Sequence, residues 1–199
     1  MKVIGICGST GSGKSTVCQI LSRRGFQVLD CDEIYHNLVD NPTDCLNEIG
    51  NEFGKELIDG GKLDRKKLGK IVFSDSEKLT KLNKISHFYV LKEIEKLLET
   101  FRKNGEKICL IDAPMLFEAG LDKWCDFVCA VVSNSSLQIE RVCKRDHIST
   151  EEAKKRLCNQ ISEESLREKS DFVIENTGDY DFIEKQCDVL LEKISILKG

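Results

Sequence analysis

Val3-Ile4-Gly5-Ile6-Cys7 runs directly into Gly8-Ser9-Thr10-Gly11-Ser12-Gly13-Lys14-Ser15-Thr16, an apolar strand-like segment followed by a complete G-x-x-x-x-G-K-[ST] pattern. Glycines at these spacings let the backbone curl closely round an anion, and the helix that follows adds the partial positive charge of its N-terminus. Residues Gly11, Ser12, Gly13, Lys14, Ser15 and Thr16 are therefore expected to hold nucleotide phosphates, with Lys14 near the β- and γ-phosphates and the Ser15 hydroxyl suited to Mg²⁺. A strand leading into such a loop and then a helix is also the opening of an α/β fold.

Further along the chain the same rhythm continues. Strand-like runs fall at 2–7, 26–30, 107–112, 127–132 and 171–174, and the first, third and fourth are nearly continuous apolar runs, as in strands buried on both faces. Longer helical patterns separate them, which predicts a parallel five-stranded sheet flanked by helices. The first helix is predicted from Gly13 to Arg24, with Val17, Ile20 and Leu21 inward. A long one is predicted from Ser76 to Lys103, on the helical recurrence of Leu79, Leu82, Ile85, Val90, Ile94, Leu97 and Leu98.

Residues 40–75 break the rhythm with Asn41-Pro42 and two short amphipathic helices separated by Asp59-Gly60-Gly61. Together with the long helix they read as a helical insert over about 40–103, set into a core of 1–39, 104–134 and 170–199. A further helical excursion from Ser135 to about Ile161, carrying the capping signature Ser149-x-x-Glu152, lies within an expected lid region of about 135–165.

Composition limits the alternatives. With 199 residues, 40% hydrophobic and 32% charged, the chain reads as a single globular domain; its net charge of −4 offers no general attraction to nucleic acid or to an anionic membrane. No stretch reaches the roughly 20 apolar residues of a membrane span, and the N-terminus lacks a signal pattern, so the expected location is cytoplasmic. The 10 cysteines include no C-x-x-C pair and fall mainly in strand- and helix-like segments, consistent with small reduced hydrophobes.

A phosphate loop does not by itself choose between kinase, hydrolase and switch. Val28-Leu29-Asp30-Cys31-Asp32 brings two carboxylates to the end of the second strand, where ligands of parallel sheets bind; they share one face if the strand persists to Asp32. Asp32 can then accept a hydrogen bond from an attacking alcohol, or serve instead as the N-cap of a helix starting at Glu33. Ile108-Cys109-Leu110-Ile111-Asp112 delivers another carboxylate to the same edge, suited to Mg²⁺. Arg141 and Arg145, four apart on one helical face, can neutralise phosphate charge from a mobile lid or simply solvate the helix. A guanine-nucleotide switch expects N-K-x-D after a strand, whereas Asn83-Lys84-Ile85-Ser86 lies in a helical pattern and lacks the Asp.

In this order the motifs resemble the dephospho-coenzyme A kinase family along essentially the whole chain. The resemblance runs from the phosphate loop through Asp30-Cys31-Asp32 with His36, Leu63-Asp64-Arg65, His87, Asp112-Ala113-Pro114, Gln138-Ile139-Glu140-Arg141, Ala153-x-x-Arg156-x-x-x-Gln160 and Ile174-x-Asn176-x-Gly178. It implies a three-layer P-loop kinase fold with a helical substrate-binding insert and a helical lid. It also implies ATP- and Mg²⁺-dependent phosphorylation of the 3′-hydroxyl of dephospho-coenzyme A, with Asp32, Lys14 and Arg141 as catalytic residues. Ser15 and Asp112 are implied at the metal, and His36, Arg65 and His87 at the acceptor. The nearest alternative is a kinase of the same fold acting on a nucleoside or nucleotide. One departure is Phe88, where the family commonly has Pro after the histidine.

Overall fold

A computed structural model describes residues 1–196. Its strands are β1 (Lys2–Cys7), β2 (Gln27–Asp30), β3 (Ile58–Asp59), β4 (Lys62–Leu63), β5 (Ile108–Asp112), β6 (Phe127–Val132) and β7 (Phe172–Glu175). Its helices are α1 (Lys14–Arg23), α2 (Cys31–Val39), α3 (Asp44–Phe53), α4 (Arg65–Val72), α5 (Ser76–Lys103), α6 (Ser135–Asp146), α7 (Thr150–Cys158), α8 (Glu163–Lys169) and α9 (Tyr180–Ile196). Residues 197–199, the end of the expected core, lie outside the described residues.

The chain divides into two compact units, one formed by residues 1–29 with the chain from 105 onward, the other by residues 30–104. The first contains a five-stranded parallel sheet of order β2-β5-β1-β6-β7. Its centre is β1, which pairs in parallel with β5 and β6, so that Ile4 lies beside Leu110 and Phe127. The apolar runs read from the sequence are these central strands, and every residue of β6 is buried. Val17, Ile20 and Leu21 of α1 and Ile183, Cys187, Leu190 and Ile194 of α9 close over Ile4, Ile6, Leu110 and Val131. Gly5 faces the other way, where a side chain would collide with Leu116 and Cys125. All five expected strands form, and the phosphate loop emerges from the carboxyl end of the central one.

In the second unit, α5 packs on α2, α3 and α4. Val39, Cys45, Leu46, Ile49, Leu57, Leu63, Leu68 and Val72 form its core, with Leu79, Leu82 and Ile85 of α5 against it. The segment between α3 and α4 adds a β3–β4 hairpin that periodicity did not predict. Its two-residue turn, Gly60-Gly61, has φ of 55° and 79°, the doubly left-handed geometry that matches strand twist and that glycine adopts without strain. Helix α5 has the predicted bounds and passes unbroken through Phe88, whose side chain is exposed. A proline at 88 would remove a mid-helix N–H and clash with the preceding turn, so this chain keeps a continuous 28-residue rod.

The expected helical excursion from Ser135 to about Ile161 forms as two helices, α6 and α7, the second starting at the expected capping signature. His147 ends α6 in the left-handed region at φ 53°, and Ser149 starts α7 with a complete capping box to Glu152.

Seven of the ten cysteines are buried and fill the packed interior as small apolar side chains. Burial pushes the Cys7, Cys45 and Cys187 thiols up to about 11 and Cys125 up to about 12. An unfolded chain ionises its thiols near 9.0, while the folded chain keeps these protonated. Between those values the folded state binds more protons than the unfolded one, so this contribution to stability is complete below pH 9 and lost as pH rises. Urea denaturation measured from pH 7 to 11 is expected to show a steady decline beginning near pH 9, at most about 1.4 kcal/mol per pH unit for each buried thiol.

Candidate functional site

Between β1 and α1 the chain turns through residues 8–13. Ser12 N–H donates back to the Ser9 carbonyl at 3.0 Å, and Thr16 N–H to the Gly13 carbonyl at 2.9 Å, starting the helix. Gly13 holds φ 91°, and a side chain built on it would overlap Asn176 Nδ2. Lys14, the first residue of α1, donates to the Asp112 carboxylate at the carboxyl end of β5, and both side chains are largely buried. Ser15 is exposed in the same helical turn. The Ser12 hydroxyl is fully buried and has no hydrogen-bond partner among the described residues.

Outside the loop lies a polar brace. Arg141 of α6 donates through NH1 to the Gly11 carbonyl at 3.1 Å and to Ser133 Oγ at 3.2 Å, and through NH2 to Asn176 Oδ1 at 3.1 Å. Asn176, which follows β7, donates from Nδ2 to the Ser12 carbonyl at 2.8 Å. Gln138, buried on α6, donates to the Ser133 carbonyl at 2.9 Å. Asn176 belongs to the Ile174-x-Asn176-x-Gly178 motif, which by itself points to no role for it. Its signal is its position: a polar amide directly after an apolar strand, at the carboxyl edge of a parallel sheet.

A second set of contacts reaches Thr10 from α6 and from the turn that follows α7. Gln160 Oε1 accepts from Thr10 N–H at 2.9 Å, and Arg145 NH2 lies 3.3 Å from Thr10 Oγ1. Asp146 binds Arg145 at 2.7 Å and Arg156 at 2.5 Å. The Arg145 hydrogen bonds, with further help from Arg156, hold the Asp146 carboxyl below its ordinary range. Two guanidinium groups are thus gathered on one carboxylate, next to the residue that enters the loop.

Asp32, His36, Arg65 and His87 belong to the unit of residues 30–104. Strand β2 ends at Asp30, so the premise that Asp30 and Asp32 share a strand face does not hold. Asp30 Oδ1 instead accepts from the N–H groups of Asp32 and Glu33 at 2.9 and 3.0 Å, which makes Asp30 the cap of α2 and places Asp32 in its first turn. The alternative of Asp32 as the cap is displaced by two residues. Asp32 and His36 are exposed one turn apart on α2. Arg65 begins α4 and pairs with Asp40, the residue ending α2, at 2.5 Å. His87 is half-buried on α5. The structure therefore assembles Gly11–Thr16, Asp112 and Arg141 in one unit and carries the other four residues on helices of the second.

The family model for dephospho-CoA kinase matches residues 2–181. The chain belongs to the dephospho-CoA kinase family. A dephospho-CoA kinase of Fusobacterium nucleatum is 39% identical over 193 residues, covering 96% of this chain and 98% of the relative. Among solved structures, protein TT1252 of Thermus thermophilus aligns with a TM-score of 0.84 at 31% identity, covering 100% of this chain and 98% of that one. The dephospho-CoA kinase of Campylobacter jejuni aligns with a TM-score of 0.72 at 30% identity, covering 98% of each chain. Full-length coverage on both sides means that the sheet, the 30–104 unit and the α6–α8 segment all fall inside the family's extent.

The places of Asp30 and Asp32 differ: one caps α2, the other stands in its first turn. Asp30→Ala is expected to cost about 0.5–2 kcal/mol of stability, with Asn at 30 restoring most of it, because Asn caps as well as Asp. Urea denaturation of the two variants checks this.

Proposed function

We propose that this chain transfers the γ-phosphoryl group of ATP to the 3′-hydroxyl of dephospho-coenzyme A. The observation that carries this reading is the family match from residue 2 to 181, with a complete phosphate loop at its start and Lys14 seated on Asp112. The hydroxyl oxygen forms a bond to the γ-phosphorus, the bond to the β–γ bridging oxygen breaks, and ADP leaves; the hydroxyl proton passes to a base.

Each proposed role follows from charge. Gly11, Ser12, Gly13, Lys14, Ser15 and Thr16 hold the triphosphate, with the amides and N-terminus of α1 facing its negative charge. Lys14 supplies a full positive charge, which Asp112 keeps poised in a largely buried position. Arg141, anchored on the Gly11 carbonyl, adds a second positive charge beside the loop. Asp32 aligns the acceptor hydroxyl and takes its proton.

The donor set near the loop fits Mg²⁺. Ser15 and Asp112 offer hard oxygen ligands, and the described residues contain no cluster of three or more His, Cys, Asp or Glu. Mg²⁺ bound at phosphates takes one or two protein oxygens and completes its shell with phosphate and water. When bound, it neutralises phosphate charge that would repel the incoming oxygen.

Segment 40–103 is proposed as the acceptor-binding insert, with His36, Arg65 and His87 facing the anionic, nucleotide-like substrate. Segment 135–165 is proposed as the lid, with Arg141 and Arg145 as its positive charges and Arg156 gathered beside Arg145 on Asp146. No described helix is long and apolar enough to cross a membrane, and the reading places the enzyme in the cytoplasm.

Mixing the protein with ATP, Mg²⁺ and dephospho-coenzyme A and weighing the product tests the assignment; an acceptor heavier by one phosphoryl group is expected. Lys14→Ala and Asp32→Asn are each expected to lower turnover by at least about 100-fold, the scale of general-base and charge-stabilising groups. Asp32→Asn is expected to leave ATP affinity near wild type. Near-normal turnover in folded Asp32→Asn overturns the base assignment, and absence of product from the wild type overturns the acceptor.

A further inference from the structure

We infer that Asn176 is a positioning residue for phosphoryl transfer: a single buried amide that sets the phosphate loop and Arg141 in register with one another. The inference rests on the kinase reading above and goes beyond it by assigning a role to a residue outside the loop, the insert and the lid.

The hydrogen bonds define the device. Asn176 is 4% exposed, so each polar atom must find a partner inside the protein. Its Oδ1 accepts from Arg141 NH2 at 3.1 Å and from Gly178 N–H at 3.0 Å, while its Nδ2 donates to the Ser12 carbonyl at 2.8 Å. Its backbone is anchored too. The N–H donates to the Val132 carbonyl at 2.8 Å, extending the β6–β7 ladder, and the carbonyl accepts from Ser133 Oγ at 2.7 Å. The same Ser133 hydroxyl receives Arg141 NH1. A side chain fixed at both backbone atoms, at the end of a sheet strand, has little freedom to move.

Only one orientation of the amide satisfies this surrounding. Turning it over would face Nδ2 to the guanidinium, donor against donor, and Oδ1 to the Ser12 carbonyl, acceptor against acceptor. Asparagine is also the residue whose short side chain carries both functions to this point. Aspartate has the acceptor without the donor, serine has too short a reach, and the contact with Gly13 leaves no room for a longer chain.

The consequence for the loop follows from peptide geometry. In a planar trans peptide the carbonyl and the next N–H point in opposite directions, and no peptide bond among the described residues is cis. Drawing the Ser12 carbonyl onto Asn176 turns the Gly13 N–H to the opposite side, where a loop of this type holds phosphate. Arg141 acts on the preceding peptide through the Gly11 carbonyl. Asn176 therefore links two neighbouring loop peptides and the guanidinium that braces them. Gly13 is required for its left-handed φ and equally for the close approach of this amide.

A double-mutant cycle on ATP affinity, measured by calorimetry in magnesium-containing buffer, tests the linkage with Asn176→Ala, Arg141→Ala and the pair. Each single change is expected to raise the Kd for ATP by about 10-fold, as for a buried hydrogen bond to a charged group, and the pair by little more than one of them. Losses that multiply to about 100-fold in the pair, or wild-type affinity in folded Asn176→Ala, overturn the inference. Asn176→Asp keeps the volume and carries the same test if the alanine variant unfolds. Its carboxylate faces the Ser12 carbonyl where a donor stood, so ATP affinity is expected to fall by at least about 10-fold while the KM for dephospho-coenzyme A stays within about twofold. Wild-type ATP affinity in this variant, or equal losses for both substrates, overturns the inference. These readouts stand apart from the acceptor assignment, because ATP titration needs no acceptor; a wild-type enzyme that binds ATP and leaves dephospho-coenzyme A unchanged would overturn the acceptor alone.

Discussion

The carbonyls of Gly11 and Ser12 point out of the loop they belong to, and each is received by a side chain far along the chain: Arg141, 130 residues from Gly11, and Asn176, 164 residues from Ser12. Buried peptide groups have to be paired, and while the Ser12 N–H serves the Ser9 carbonyl inside the loop, the Gly11 and Ser12 carbonyls take side-chain donors. The remaining structure supplies the missing donors. Strand β7 carries Asn176 to its place, strand β6 carries Ser133, and α6 carries Arg141 and Gln138 behind them. The β6–β7 side of the sheet thus does more than support the loop from below, since the residues after these strands complete the loop from the side.

The same economy governs charge. Lys14 and Asp112 come from β1–α1 and β5, neighbouring elements at the centre of the sheet, so their approach is fixed by strand pairing and not by flexible segments. A largely buried pair of this kind loses hydration on both sides and gains mainly in placement. Arg145 and Arg156 are arranged differently. They are exposed, held by one carboxylate, Asp146, next to a left-handed residue at the junction of two helices. Exposed pairs are weak and easily exchanged. A rigid central charge and loosely held peripheral charges suit a site that first binds an anion and then covers it.

The second unit shows how far helical patterning carries. Helix α5 emerged with its predicted bounds because Asp75 and Asn104 flank an apolar stripe running through several turns. The hairpin β3–β4 has only two residues in each strand, too few for alternation to register, and its turn glycines gave the only local sign. The break between α6 and α7 was partly visible, since Ser149 and Glu152 spell a helix start. The stop before it was not visible, because His147, and no glycine, ends α6 in the left-handed region.

Local order and composition determined the parallel sheet, its five strands, the phosphate loop and the family to which the chain belongs, because each is written in contiguous residues whose spacing reflects backbone geometry. Asp30 and Asp32 mark the limit of that reading: two carboxylates two apart looked equivalent until the end of β2 made one a cap and the other a helical side chain. Asn176 lies further beyond it. Its value comes from meeting Ser12 and Arg141 in three dimensions, and no pattern along a chain records which distant carbonyl an amide will face. Tertiary structure decided that, through the burial that leaves a polar atom no partner except the one the fold brings to it.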